Sequence, residues 1–192
     1  MIREEFFPTS VYGKDIKLDN DKLAQDIVNW SNQDQGVKKT NVDGWHSKTD
    51  MASKPEYQFL VQELYKMQED IYKEEWLDRK PKLGNMWANI NYKNGYNRLH
   101  IHPNCLFSGV YFVKATKEAG ILAINDPRPG IQTTMPARKQ GTPPKHLWRQ
   151  AHIDPIPGRI IMFPAWLWHE VEQNKSNDIR ISVSFNFIQD GF

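Results

Sequence analysis

Ile179-Arg180-Ile181-Ser182-Val183-Ser184-Phe185-Asn186-Phe187 alternates strictly, with Ile179, Ile181, Val183, Phe185 and Phe187 on one face of a strand and Arg180, Ser182, Ser184 and Asn186 on the other. A strand of this kind ordinarily turns its polar face to water. Upstream lies Trp168-His169-Glu170, followed by the polar stretch Gln173-Asn174-Lys175-Ser176-Asn177-Asp178. Read as a turn, that stretch predicts a hairpin centred between Asn174 and Lys175, with His169 directly opposite Arg180. An imidazole beside a guanidinium is repulsive if both are charged. The pairing makes chemical sense if the imidazole is neutral and ligates a metal while the arginine holds an anion bound at the same place.

His100-Ile101-His102 supplies the other half of this reading, preceding Leu106-Phe107-Ser108-Gly109-Val110-Tyr111-Phe112-Val113. Side chains at i and i+2 of a strand point the same way, so both imidazoles can converge on one ion. Three neutral nitrogens on one side of a divalent first-row metal leave positions open for other ligands. A His-x-His pair alone is also compatible with surface residues or with hydrogen-bonded core groups. His169 and Arg180, placed downstream, make the metal reading the stronger one.

These residues resemble a known family. Asn91 to Phe187 is similar to the double-stranded β-helix core of the 2-oxoglutarate/Fe(II)-dependent oxygenases, most closely a bacterial and phage subgroup. The likeness rests on Phe6-Phe7-Pro8-Thr9, His100-Ile101-His102-Pro103 running into Ser108-Gly109-Val110-Tyr111, Asp126-Pro127-Arg128, Phe163-Pro164-Ala165-Trp166-Leu167-Trp168-His169, and Arg180-Ile181-Ser182 leading to Phe185-Asn186. A looser similarity connects it to the aspartyl/asparaginyl β-hydroxylases. The resemblance implies Fe(II) held by His100, His102 and His169, with 2-oxoglutarate chelating the metal and its far carboxylate forked by Arg180 beside Ser182. Asn89, Asn91 and Tyr111 are candidate contacts to the cosubstrate. The implied activity is that of a dioxygenase and hydroxylase, which consumes O2, decarboxylates 2-oxoglutarate to succinate and oxidises an unidentified substrate. Most of the superfamily carries a carboxylate where His102 stands. His102 then supplies a third nitrogen, or stands behind the metal while water fills the position, or a shifted register pairs His102 with Asn104.

Composition fits a single domain over residues 1–192. A chain of 192 residues with 39% apolar content can bury a substantial core, and a net charge of +2 does not indicate nucleic acid. The lone cysteine, Cys105, precludes an internal disulfide and reads as buried filler, consistent with a cytoplasmic protein. No apolar h-region opens the chain, and no apolar run approaches the roughly eighteen residues of a membrane span. Residues 1–84 read as mainly helical support. Leu23, Ile27 and Trp30 predict a helix over about residues 20–32. Ser53-Lys54-Pro55-Glu56 reads as a capping box before the Leu60, Leu64, Met67, Ile71 stripe. Residues 31–52 read as irregular, and His46 has no partner at ligand spacing.

From residue 85 onward the pattern is one of short strands, predicting a mainly β, cupin-like jelly-roll core with the helices packed outside it. Phe163, Trp166 and Trp168 are candidate walls of a dry site. Residues 126–157 carry seven prolines, at 127, 129, 136, 143, 144, 155 and 157. They read as a lid-like loop, with Arg128, Arg138, Lys139, Lys145 and Arg149 suited to gripping an anionic or polar substrate over 127–157. Three rivals share the core: a three-histidine cupin dioxygenase without cosubstrate, a non-catalytic jelly-roll binding module, and a zinc hydrolase.

Overall fold

A computed structural model describes residues 1–189 except positions 3, 5, 131, 132, 134 and 135, so part of the proline-rich loop lies outside the described residues. The elements run β1 (Tyr12–Asp15), α1 (Asn20–Gln33), β2 (Asn41–His46), α2 (Gln58–Glu74), β3 (Lys82–His100), β4 (Phe107–Lys114), β5 (Leu122–Asn125), β6 (Gln150–Ile153), β7 (Arg159–Pro164), β8 (His169–Val171) and β9 (Arg180–Ile188). The strands pair antiparallel in the order β1-β7-β4-β9-β3-β8-β5-β6, with β2 on the other edge of β3.

β3 organises the site. Its first part pairs with β9 from Lys82 to Asn91, and its end pairs with β8 at Asn97 and His100. Asn89 bonds β9 and β2 at once, and Asn97 bonds β2 and β8 at once, so β9 and β8 share one edge of β3. The strand bends between these stretches, where Asn94 takes φ 68° and Gly95 sits so close to Asp43 that a Cβ would lie 2.3 Å from its carbonyl oxygen. One continuous strand thus serves two sheets that curl over each other, the double-stranded β-helix expected from sequence.

This bend also corrects the predicted hairpin. β8 and β9 do not pair; His169 lies opposite His100, and Arg180 lies opposite Asn91. The polar turn after β8 docks on the bend instead. Asn174 bonds Gly95 through its backbone, and its side-chain amide donates to the carbonyls of Asn91 and Asp178. A buried turn needs such partners for its backbone groups, and the long strand provides them.

The two faces of β9 have opposite fates. Ile181, Val183, Phe185 and Phe187 are fully buried against Leu23, Ile27, Leu60, Leu64, Met67 and Ile71 of the two helices. Burying each such side chain contributes about 1.5–3 kcal/mol, so the helices cover the outer face of the sheet firmly. The polar face, which sequence alone would assign to solvent, instead points between the sheets. There a second cluster of Val110, Phe112, Leu122, Ile124, Ile161, Phe163 and Leu167 packs beside it. Gly109 is required where β4 crosses: a Cβ would lie 2.3 Å from the Phe185 ring and 2.6 Å from the Ile161 carbonyl oxygen.

Elsewhere the structure departs from the sequence reading. α1 and the buried stripe of α2 form as expected. The capping box does not: two 3₁₀ turns, Met51–Ser53 and Pro55–Tyr57, precede α2, and the Ser53 hydroxyl donates to the Asp50 carbonyl. The N-terminal part also contributes β1 and β2, because the edges of β7 and β3 need partners. Within 126–157, β6 pairs with β5, which shortens the loop. Among the described residues, no helix is long and apolar enough to cross a membrane.

Candidate metal and cosubstrate site

His100 ends β3, His169 begins β8 directly opposite it, and His102 lies two residues past the strand, held by its N–H on the Ala165 carbonyl. One ring nitrogen from each lies within 4.8 Å of the others. His102 Nε2 and His169 Nε2 are 3.3 Å apart. Nδ1–H of His100 donates to the Arg98 carbonyl at 2.6 Å, and Nδ1–H of His169 donates to the Leu167 carbonyl at 2.8 Å. A carbonyl only accepts, so both rings are fixed in the tautomer that leaves Nε2 as a lone pair facing the cluster. Asn186 stands behind His102, its amide nitrogen 3.4 Å from Nδ1. An amide N–H only donates, so Nδ1 accepts here and the ring proton lies on Nε2, toward the His169 lone pair. A metal at His102 Nε2 requires that proton to move to Nδ1, with the Asn186 oxygen turned toward it. Burial, with repulsion from neighbouring imidazoles, holds His102 down to about 4 and His169 down to about 3, and burial also lowers His100. All three are neutral at pH 7, the state a metal requires.

Arg180 is 1% exposed, without a carboxylate partner among the described residues, and burial pulls its guanidinium down to about 10. Its Nη1 donates to Asn91 Oδ1 at 3.2 Å, and its guanidinium lies 5.6 Å from the Phe112 ring centroid. Nε and Nη2 have no partner. These two nitrogens form one edge of the guanidinium, the edge that matches the two oxygens of a carboxylate. A buried cation with a bare fork is costly unless an anion completes it.

The histidines and Arg180 line one cavity of about 400 Å³ together with Asn89 and Ser182. Two candidate cosubstrate contacts are placed differently. Asn91 is buried behind the cavity, donating to Asn97 and accepting from Arg180, so it orients the arginine. Tyr111 faces the helices and its hydroxyl donates to Asn20 of α1, because the odd positions of β4 point to the outer core. Of the proposed walls, Phe163 lines the cavity with its ring 4.8 Å from that of His169. Trp166 and Trp168 are instead about half exposed. Among the described residues, none in 127–157 contributes to the cavity wall.

The sequence reading missed His46, Trp87, Asn186 and Lys39, all of which line the cavity. His46 stacks on Trp87 with centroids 5.4 Å apart and planes within 10°. Trp87 shares parity with Asn89 along β3, so once that face was known to be interior it was findable. His46 was not, since β2 carries no pattern that announces a strand.

A protein-family model described as “Putative 2OG-Fe(II) oxygenase” matches residues 85–186. The chain belongs to the 2OG-Fe(II) oxygenase family. Its fold recurs in solved structures of low identity. A Pseudomonas putida prolyl-4-hydroxylase aligns with a TM-score of 0.65 at 13% identity, covering 95% of this chain and 94% of that one. A viral collagen prolyl hydroxylase from Paramecium Bursaria Chlorella virus-1, solved as a 2OG complex, gives a TM-score of 0.60 at 15% identity, covering 92% and 94%. A 2OG-Fe(II) oxygenase family oxidoreductase from Burkholderia pseudomallei gives 0.51 at 15% identity, covering 70% of this chain and 57% of that one. No curated protein matches the chain.

The residues of this oxygenase fit both groups the family uses. Three neutral imidazoles converge, His100 and His169 with Nε2 fixed as a free lone pair, and Arg180, its Nε and Nη2 unpartnered among the described residues, lines the same cavity. 2-Oxoglutarate carries a carboxylate at each end, so one end suits the arginine while the other reaches the metal.

Proposed function

We propose that this oxygenase binds Fe(II) through His100, His102 and His169, with His102 as a third nitrogen ligand in place of the usual carboxylate. Arg180 forks the far carboxylate of 2-oxoglutarate, and Ser182, on the same wall, adds a hydroxyl. The observation that carries this reading is the unpartnered Nε/Nη2 edge of a fully buried arginine on the same cavity as three neutral histidines. When bound, the iron and cosubstrate supply the oxidising chemistry: O2 is consumed, 2-oxoglutarate becomes succinate and carbon dioxide, and the substrate is oxidised, here by hydroxylation.

The protein's own residues do the positioning. Arg98 and Leu167 carbonyls aim His100 and His169, and Asn186 would brace His102 from behind with its amide oxygen turned to accept from Nδ1–H. Asn91 holds Arg180 by Nη1 so that its other edge stays available. Phe163, Val110 and Leu122 give the cavity a dry wall, which strengthens the Arg180–carboxylate pair. Loop 127–157 meets the part of a polar or anionic substrate that remains outside the cavity. Arg128 is not free for this, being forked by Asp126.

Anaerobic titration with Fe(II) and 2-oxoglutarate, followed by visible absorption, tests the assignment. A charge-transfer band that needs both additions and disappears in Arg180→Ala is expected. Iron binding without such a band would favour a three-histidine dioxygenase that uses no cosubstrate.

A further inference from the structure

The proposed iron and 2-oxoglutarate contacts leave part of the cavity unused. This part is formed by His46, Trp87, Asn89, Thr49, Asn85 and Lys39. His46 and Asn89 lie directly opposite one another across the β2–β3 ladder, so they share the inner face. His46 is 5% exposed and its Nδ1–H donates to the Ser47 carbonyl at 2.6 Å. Its Nε2 is therefore a lone-pair acceptor, with no hydrogen-bond partner among the described residues. Asn89, also 5% exposed, donates its amide to Ser184 Oγ at 3.0 Å, and its Oδ1 has no partner. Two unpartnered acceptors thus belong to residues lining the same cavity, and a ligand that displaces water from them must bring donors to both.

2-Oxoglutarate cannot do so, since both its ends are carboxylates and its keto oxygen only accepts. The donors must come from the substrate that is oxidised. A cationic donor is disfavoured, because among the described residues no carboxylate lines the cavity while Lys39 and Arg180 do. Size sets a further limit: a cavity of about 400 Å³ lies near the low end of the roughly 300–1,000 Å³ of small-ligand sites and has to hold the cosubstrate as well.

Building on the oxygenase assignment, we propose that His46 and Asn89 form the acceptor-substrate subsite, and that it takes one uncharged group carrying two hydrogen-bond donors, a primary carboxamide or a diol. Trp87 holds the His46 ring by stacking, with its own ring tilted against His102 at 5.8 Å, so the bound group is delivered beside the metal ligands. His46 is a specificity-determining residue that need not touch iron or 2-oxoglutarate.

The test uses the full chain, 15N-labelled, loaded with Zn(II) as a redox-silent stand-in and with 2-oxoglutarate. Long-range 1H–15N correlations then report the His46 ring nitrogens directly. Acetamide and ethylene glycol are the donor probes, with acetone and ethylammonium as acceptor-only and cationic controls. His46 Nε2 is expected to begin unprotonated and to move toward the protonated position with acetamide, ethylene glycol or both, and with neither control. Which of the two moves it separates a carboxamide from a diol. His46→Phe, which keeps a ring against Trp87, is expected to weaken probe binding, read at the Trp87 indole, by about tenfold, the worth of one hydrogen bond. An Nε2 protonated from the start, equal responses to acetone, or no response to either donor up to its solubility limit would overturn the proposal. 2-Oxoglutarate binding in the same sample separates the two claims: if it fails, the oxygenase assignment of these residues fails, and if it succeeds while His46 stays silent, only the subsite does.

Discussion

Replacing Arg180 with methionine separates a ligand-binding arginine from a structural one, because the two roles predict opposite effects on the empty protein. Arg180 is fully buried and charged at pH 7, with a single side-chain bond to Asn91 and a bare Nε/Nη2 edge. Removing one partner of a satisfied buried ion pair costs about 3–5 kcal/mol. Here there is no paired anion to abandon. The change gives up the Asn91 bond, about 1 kcal/mol. It also removes an uncompensated buried cation, a replacement by an apolar residue that is neutral to stabilising by about 1–4 kcal/mol. The Tm of Zn(II)-loaded protein without 2-oxoglutarate should hold or rise, at about 2–4 °C per kcal/mol for a chain of this size. The ligand response should vanish. At 100 times its Kd, 2-oxoglutarate stabilises the wild type by about 2.7 kcal/mol, or roughly 5–10 °C. Losing two charge-assisted bonds of about 1.5–3 kcal/mol each weakens binding at least a hundredfold. Differential scanning fluorimetry of both proteins, with and without the ligand, reads both quantities. A fall of about 10 °C without ligand, the size expected of a broken structural pair, would refute the reasoning. So would a 2-oxoglutarate shift that survives in the variant.

Three further outcomes are expected. In metal-free protein, His102 and His169 stay neutral in the fold until about pH 4 and about pH 3, whereas an unfolded histidine takes a proton near pH 6.5. Their contribution to stability is therefore whole above about pH 6.5 and drains as pH falls toward 4, by about 1.4 kcal/mol per pH unit for each histidine. Urea midpoints from neutral to acidic pH should show this slope and lose it in a His102→Asn/His169→Asn double variant; equal slopes in the two would contradict it. Tyr111→Phe should leave 2-oxoglutarate affinity unchanged while costing about 1 kcal/mol of stability, because the hydroxyl bonds Asn20 on the helix side. Calorimetric titration checks the affinity. Gly109→Ala should destabilise by about 1–3 kcal/mol or more, since its Cβ would strike both the Phe185 ring and the rigid Ile161 carbonyl, and chemical denaturation measures the loss.

The parts of the fold legible in the sequence are those where burial imposes a period. The alternation of β9 and the apolar stripe of α2 are examples, because each packs one face against one core. Pairing was less legible. His169 and Arg180 do reach the same cavity, but through β3 rather than across a hairpin, since the sequence of a turn does not reveal that both its arms will pair with successive stretches of a distant strand instead of with each other. β1 and β2 were invisible for a related reason: short edge strands are recruited by neighbours that need hydrogen-bond partners, and residues such as Asn41 and Gly44 carry no strand preference. The histidine cluster could be read because His-x-His and the later histidine are chemically conspicuous. His46 could not, since its importance comes from β2 lying against β3 and stacking it on Trp87.

The proposed replacement of the usual carboxylate by His102 would redistribute charge in a way the rest of the cavity reflects. With three neutral imidazoles and, among the described residues, no acidic residue on the wall, these residues contribute only positive charge to the site, from Arg180 and Lys39. A carboxylate ligand would offset part of the metal's charge before the cosubstrate arrived. On the proposed assignment that role would fall to the cosubstrate dianion, held by the metal at one end and by the buried guanidinium at the other. Metal and 2-oxoglutarate each remove a penalty that the other would face alone, so their binding is positively coupled, and by linkage each raises the other's affinity by the same factor. The bare fork of Arg180 is the structural mark of that arrangement: a cation buried without a partner is tolerated because the second charge is delivered with the ligand.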